Sequence, residues 1–220
     1  MLLAVDTSSF HAGIALYDGA QVVVEVLWPA ARRHTAELAP MVRRALAWVQ
    51  VEKPKALGVA IGPGAFSGLR AGVALVKALA LAWHLPVVGV FTLDVVAAAL
   101  PPTPGVPLVA TVPIGRGRFA AAWYRTRGKQ WRAESRPELF TAQELSQRLT
   151  EPTWVCGEFD AEQRAILAKN RHIRLGTPAQ CTRRPGLLAE LAWHAWQRGH
   201  VDDPTTLVPF YVRTQTPIPA

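Results

Sequence analysis

The stretch GVAIGPGAFSGLRAG, residues 58–72, joins a short apolar run to a glycine turn and then to a helix. Residues 57–61 are apolar and partly β-branched, the composition of a strand covered on both faces. Gly62, Pro63 and Gly64 break that strand, because proline fixes φ and glycine accepts positive φ. Ser67 is placed to cap a helix beginning at Gly68. A helix start behind a glycine turn offers free N–H groups to an anion. Two readings stay open at this point. Either the loop binds phosphate, or Gly64, Gly68 and Gly72 let strand and helix pack closely. Neither the Lys-Ser/Thr of the Walker pattern nor the G-x-G-x-x-G fingerprint is present.

Upstream, residues 2–6, 12–17 and 22–27 read as three strands, with Asp18-Gly19 as a tight hairpin signal between the last two. A helix over 36–49 precedes the strand at 57–61, and a helix over 68–84 leads to a strand at 87–90. PPTPGVP, 101–107, is the one obvious linker. Beyond it come strands at 108–112, 119–124 and 129–133, then shorter helix-strand alternation to about residue 175. Arg184-Pro185-Gly186 opens a last helix, 187–198, which Gly199 ends. No fixed-period repeat appears. Three strands followed by two α/β units predict a mixed sheet with helices against it.

Half of the 220 residues are apolar, enough for a sizeable core, and the formal net charge is +8. That charge suggests an acidic partner such as tRNA. It is dispersed, however, over Arg32-Arg33, Arg43-Arg44, Arg116/Arg118, residues 125–136 and Arg183-Arg184, so solvated surface charge explains it equally well. Cys156 and Cys181 are the only cysteines, in no metal or redox spacing, as in a reducing cytoplasm. MLLAVDTSS lacks the basic start of a signal peptide. The apolar run 71–83, interrupted by Lys77, reads as too short to span a bilayer. These features predict a cytoplasmic protein without a membrane partner.

The set AVDTSS (4–9), HTAELAPM (34–41), GPGAFSGLRAG (62–72) and PFYVR (209–213) resembles the bacterial TsaB family, most closely through residue 100. The resemblance implies the actin/hexokinase/Hsp70-like ATPase fold, an α/β fold of two subdomains with ribonuclease H-like mixed sheets and flanking helices. Residues 1–102, rejoined by 186–220, would form one subdomain and 103–185 a smaller second one. It also implies a role in making threonylcarbamoyladenosine next to the anticodon of tRNAs reading codons that start with A. There the TsaB-like subunit is a non-catalytic partner of TsaD, its paralogue, and TsaE, a P-loop ATPase, joins the pair.

An ATPase of this fold needs carboxylates from both subdomains around a metal-bound phosphate chain. Asp6 fills the first position, followed by Thr7 and Ser8; a strand-end carboxylate also commonly caps local N–H groups. In the second subdomain, the family's D-A-R-x-G-E-V-Y aligns with Pro113-Ile114-Gly115-Arg116-Gly117-Arg118-Phe119-Ala120, so both acidic positions are lost. No other carboxylate is close to that strand pair in sequence until Glu134. No two histidines form an H-x-x-x-H pair, and no serine sits in a G-x-S-x-G elbow. Asp6, Thr7, Ser8, Gly62, Gly64, Ser67 and Gly68 therefore read as a relic phosphate site. No catalytic residue, metal ligand or required cofactor is expected, and any weak adenine-nucleotide binding belongs to the complex with TsaD and TsaE.

The helix at 68–84 carries only Arg70, Lys77 and His84 as titratable groups and is otherwise apolar, so it must be covered nearly all round. Core helix and interface helix explain this equally well from the residues alone. The resemblance favours an interface in which a TsaD-like partner packs on both helices. It would touch His34, Leu38, Met41, Ala45 and Trp48 on the first helix, and Arg70, Ala71, Ala74, Lys77 and Ala78 on the second. The same helices would support a homodimer, and tRNA would be reached through the complex. Two other classes remain: a small kinase-like phosphotransferase resting on Asp6 and the glycine loop, and an RNA-binding module resting on charge alone.

Overall fold

The computed structural model describes residues 1–30 and 34–212, the side chains of residues 34 and 35 excepted. The first sheet holds β1 (Leu2–Asp6), β2 (His11–Tyr17), β3 (Val22–Pro29), β4 (Ala56–Gly62) and β5 (Val87–Phe91), in the order β3-β2-β1-β4-β5. β1 to β3 pair antiparallel, while β4 and β5 add in parallel beside β1. Between β2 and β3, Asp18 Oδ1 accepts the N–H groups of Ala20 and Gln21, each at 2.8 Å, which closes the hairpin.

β1 is buried along its whole length because helices cover both faces. Leu3 and Val5 point toward α1 (His34–Trp48) and α2 (Phe66–Trp83). Leu2 and Ala4 point the other way, toward α7 (Pro185–Gln197), as a period of two requires. Alanine and glycine bring α7 close: a Cβ on Gly58 would lie 2.7 Å from the Ala192 Cβ. α1 runs without a break through Pro40.

The second sheet contains β6 (Leu108–Gly115), β7 (Arg118–Arg127), β8 (Gln130–Ala133), β10 (Thr153–Cys156) and β11 (Ile173–Leu175), in the order β11-β10-β6-β7-β8. The short β9 (Glu138–Phe140) pairs with the other end of β7. α4 (Ala142–Arg148), α5 (Ala161–Ala168) and α6 (Pro178–Cys181) complete this half. Each sheet is built from three antiparallel strands followed by two parallel ones placed beside the first. The topology is thus repeated, although no period marks it in the residues.

The helix α3 (Thr92–Ala98) escapes the sequence pattern, since it is only two turns long and contains Val95-Val96. It bridges the halves. Val95 packs with α7, and Leu93, Val96 and Ala97 pack against β6 and β7. Its Asp94 accepts a 2.7 Å hydrogen bond from the Tyr124 hydroxyl. Burial raises the Asp94 carboxyl above its ordinary pKa, more than the Tyr124 hydrogen bond and Arg132 lower it. A raised carboxylate stabilises the fold below its unfolded pKa, and that contribution is lost as pH rises through the folded value. Asp94→Asn, which keeps the acceptor and has no charge to desolvate, is therefore expected to gain stability relative to wild type between pH 3.5 and pH 7. Urea denaturation at the two pH values measures the change.

α2 is 18 residues long with a mean hydropathy of 1.4, so length and composition alone would let it cross a membrane, contrary to the reading from the run 71–83. Its Gly68, Leu69, Gly72, Val73, Val76 and Ala80 are buried against the first sheet.

Candidate functional site

β1 ends at Asp6, and the three residues that follow are all buried. Asp6 is 2% exposed, and its Oδ1 accepts the Ser8 N–H at 2.9 Å. Thr7 donates its hydroxyl to the Gly68 carbonyl at 2.8 Å, and the Ser8 and Thr92 hydroxyls lie 2.9 Å apart. The Ser8 carbonyl accepts the Ala65 N–H at 2.7 Å. The glycine loop is therefore packed against the β1–β2 turn. A Cβ on Gly64 would collide with the Ser8 carbonyl, and one on Gly72 with the Thr7 hydroxyl.

On its other side, Gly62 (φ +110°) faces the Phe210 carbonyl, and the Phe210 N–H donates to Ile61 O at 2.7 Å. Of the two readings of the loop, close packing accounts for Gly62, Gly64 and Gly72. Ser67 is exposed and caps nothing: α2 starts at Phe66, and its N-cap is Ala65, which has no side-chain hydrogen bond.

The charge of Asp6 is taken up by a residue from the far end of the chain. Arg183, 3% exposed, donates from Nε to Asp6 Oδ2 at 2.5 Å, from Nη2 to Ser9 Oγ at 3.1 Å and from Nη1 to Glu158 Oε1 at 3.0 Å. Burial penalises the guanidinium, but Asp6 and Glu158 more than offset it and leave the Arg183 pKa above its ordinary value. Glu158 follows β10, so one buried cation ties the end of the first sheet to the end of the second.

Glu158, beyond Glu134 in the chain, brings to the β6–β7 end a carboxylate that the sequence did not place there. Parallel pairing of β10 with β6 carries it there, whereas Glu134 pairs at the surface with Arg125. Pro113 and Arg118 line a cleft of about 470 Å3 between the halves, together with Phe10, Glu158, Arg164 and Cys181. Arg118 pairs with Glu144 at 3.4 Å. Of the carboxylates in this lining, Glu158 is engaged by the Arg183 guanidinium and Asp160 accepts the Gln163 N–H at 2.8 Å as the cap of α5. Sequence reasoning missed Arg183 because its neighbour Arg184 looks identical, yet Arg184 is exposed and pairs with Glu25.

The two helices sort the expected contact residues. Leu38, 2% exposed, and Ala45 face the sheet and cannot meet another molecule. Lys77 donates to the carbonyls of Thr205 and Leu207 at 3.2 and 2.9 Å, so it secures the C-terminal segment. Met41 and the exposed Trp48, whose ring lies under Arg44, are seven residues apart on one flank of α1. The opposite flank faces α2: Ala39, Arg43 and Leu46 line an apolar groove of about 400 Å3 with Leu75, Leu79 and Trp83. On α2, Ala74, Ala78, Leu81 and Ala82 are exposed, Arg70 stacks over the exposed Phe66, and Ala71 is half-buried. α2 is thus not covered all round. The side chain of His34 lies outside the described residues.

Two sheets of repeated topology, meeting at a cleft beside the end of β1, define an actin-like ATPase fold. A solved protein from Pseudomonas aeruginosa, described as similar to peptidase YEAZ, superposes with a TM-score of 0.77 at 22% identity, covering 96% of this chain and 99% of that one. The ROK hexokinase of Thermus thermophilus gives 0.52 at 12% identity over 90% and 99%. The family model for TsaD, tRNA N6-adenosine threonylcarbamoyltransferase, matches residues 28–152. The chain belongs to this TsaD-type family.

Among its relatives, the tRNA threonylcarbamoyladenosine biosynthesis protein TsaB of Escherichia coli is 36% identical over 95 residues, 42% of this chain and 40% of that one. The Bacillus subtilis protein of the same name is 35% identical over 100 residues, 44% and 43%. The matched region thus spans less than half the length of these curated relatives.

Proposed function

We propose that this chain is a non-catalytic subunit of the machinery that places a threonylcarbamoyl group on the adenosine next to the anticodon of tRNAs reading codons that start with A. It docks a TsaD-like paralogue through α1 and α2, takes a TsaE-like ATPase as third partner and meets tRNA through the complex. Without that partner the same helices pair two copies. The family membership and the names of the relatives support the pathway. One observation carries the non-catalytic part: Arg183 sits between Asp6 and Glu158, where a working site would hold a cation and phosphate oxygens.

The docking surface is the groove between α1 and α2 with the exposed face of α2, an apolar patch edged by Arg43 and Arg70. Adenine nucleotide, where the machinery uses it, is bound at the complex rather than in this chain's cleft. Two measurements test the reading. The purified chain is expected to retain the TsaD paralogue of the same source on an affinity column. Alone, it is expected to turn over no ATP with magnesium. Magnesium-dependent turnover abolished by Asp6→Asn would overturn the proposal in favour of a kinase-like phosphotransferase.

A further inference from the structure

Cys156 and Cys181 are 25 positions apart, but the fold brings their side chains together beside the cleft, where the Cys156 thiol donates to the Gln180 carbonyl at 3.6 Å and the Cys181 thiol to the Gly176 carbonyl at 3.4 Å. Cys156 ends β10, and Cys181 ends α6. Both sulfurs flank Gly176: a Cβ built there would lie 3.0 Å from Cys181 Sγ and 3.8 Å from Cys156 Sγ. The Gly176 N–H is held by the Val155 carbonyl at 3.0 Å, which keeps the two segments in register. Arg164 stands beside the pair, with Nη2 donating to Gly176 O at 2.8 Å and Nη1 3.9 Å from Cys181 Sγ. Cys181 and Arg164 line the cleft, whereas the Cys156 side chain is not part of that lining.

We infer that Cys156 and Cys181 are a peroxide-oxidisable thiol pair, with Cys181 as the attacking sulfur and Cys156 as the resolving one. The Cys181 thiolate attacks one oxygen of hydrogen peroxide, the O–O bond breaks, and a sulfenic acid forms as hydroxide leaves. The Cys156 sulfur then attacks the Cys181 sulfur, the S–O bond breaks, and its thiol proton leaves with the hydroxyl as water. Two thiols are oxidised to one disulfide, and one peroxide is reduced to two waters.

The roles follow from position. Cys181 faces the cleft and a guanidinium, the surroundings that favour a thiolate. The neighbouring Cys156 thiol holds Cys181 below its ordinary pKa, with Arg164 acting in the same direction, while Cys156 is pushed up by Cys181 and by burial. The new bond would join residues 156 and 181, each two positions before a member of the Glu158–Arg183 ion pair. Oxidation would therefore hold that ion pair closed.

The test treats the reduced full-length chain with hydrogen peroxide, quenches with acid and alkylates in denaturant with N-ethylmaleimide. Intact mass is expected to show two maleimides before treatment and none after, and a digest is expected to contain one peptide pair linked through Cys156 and Cys181. Cys156→Ser should accumulate a dimedone-reactive sulfenic acid on Cys181, whereas Cys181→Ser should leave Cys156 unlabelled over the same time. Both thiols remaining alkylatable after peroxide, linkage only between separate chains, or equally fast labelling of Cys156 in Cys181→Ser would overturn the inference.

Discussion

Arg183→Ala is expected to cost about 3–5 kcal/mol of stability, because it leaves the buried Asp6 carboxylate without its counter-charge. The Ser8 N–H then remains as the one hydrogen bond given to that group within the β1 turn. The effect should be asymmetric. Asp6→Ala leaves Arg183 with Glu158 and Ser9, so it should cost less than the arginine deletion. Asp6→Asn placed on Arg183→Ala should recover much of the loss, since a neutral amide keeps the Ser8 hydrogen bond without an unpaired charge. Lysine is no substitute, because one ammonium does not present the three-way fork that reaches Asp6, Ser9 and Glu158. Urea denaturation of the single and double variants gives the coupling energy directly. An Arg183→Ala chain within about 0.5 kcal/mol of wild type, the range of an ordinary surface change, would mean that the interlobe ion pair holds nothing.

Ala78→Arg is expected to abolish association with the TsaD-like partner while leaving the free chain folded. Ala74 and Ala78 are one helical turn apart and exposed on α2, so a new arginine reaches water in the monomer and changes stability by about 0.5 kcal/mol at most. In a close helix crossing, the same side chain would be buried without a counter-charge, at a cost of about 3–5 kcal/mol. That corresponds to at least roughly a hundredfold weaker binding. Leu38→Ala is the contrasting control: Leu38 faces the sheet, so its loss should lower folding stability by about 2–5 kcal/mol. Sedimentation with the partner, beside a thermal melt, reads both quantities. A folded Ala78→Arg chain that binds as well as wild type would move the interface off this face.

What the residues determine by themselves is whatever short-range pattern encodes. The apolar run at residues 2–5 marks a strand, and Asp18-Gly19 closes a hairpin with the Asp18 side chain. The glycines of 62–72 mark a strand that turns tightly into a helix. In each case the partners are within a few positions of one another, so spacing is enough.

Only the tertiary structure decided what surrounds Asp6. Asp6 and Arg183 are 177 positions apart, and Glu158 arrives because β10 pairs in parallel with β6, a register that no local preference specifies. The same distance hid the meeting of Cys156 with Cys181, and the closure of the glycine loop by Ser8 and Phe210. Helical period put Leu38, Met41, Ala45 and Trp48 together on one side of α1. Which part of that side meets the sheet depended on where α2 lay, and α2 took the flank of Ala39 and Arg43 instead. A charge or a helix face acquires its role from what the fold places opposite it, and for this chain those opposing groups come from distant segments.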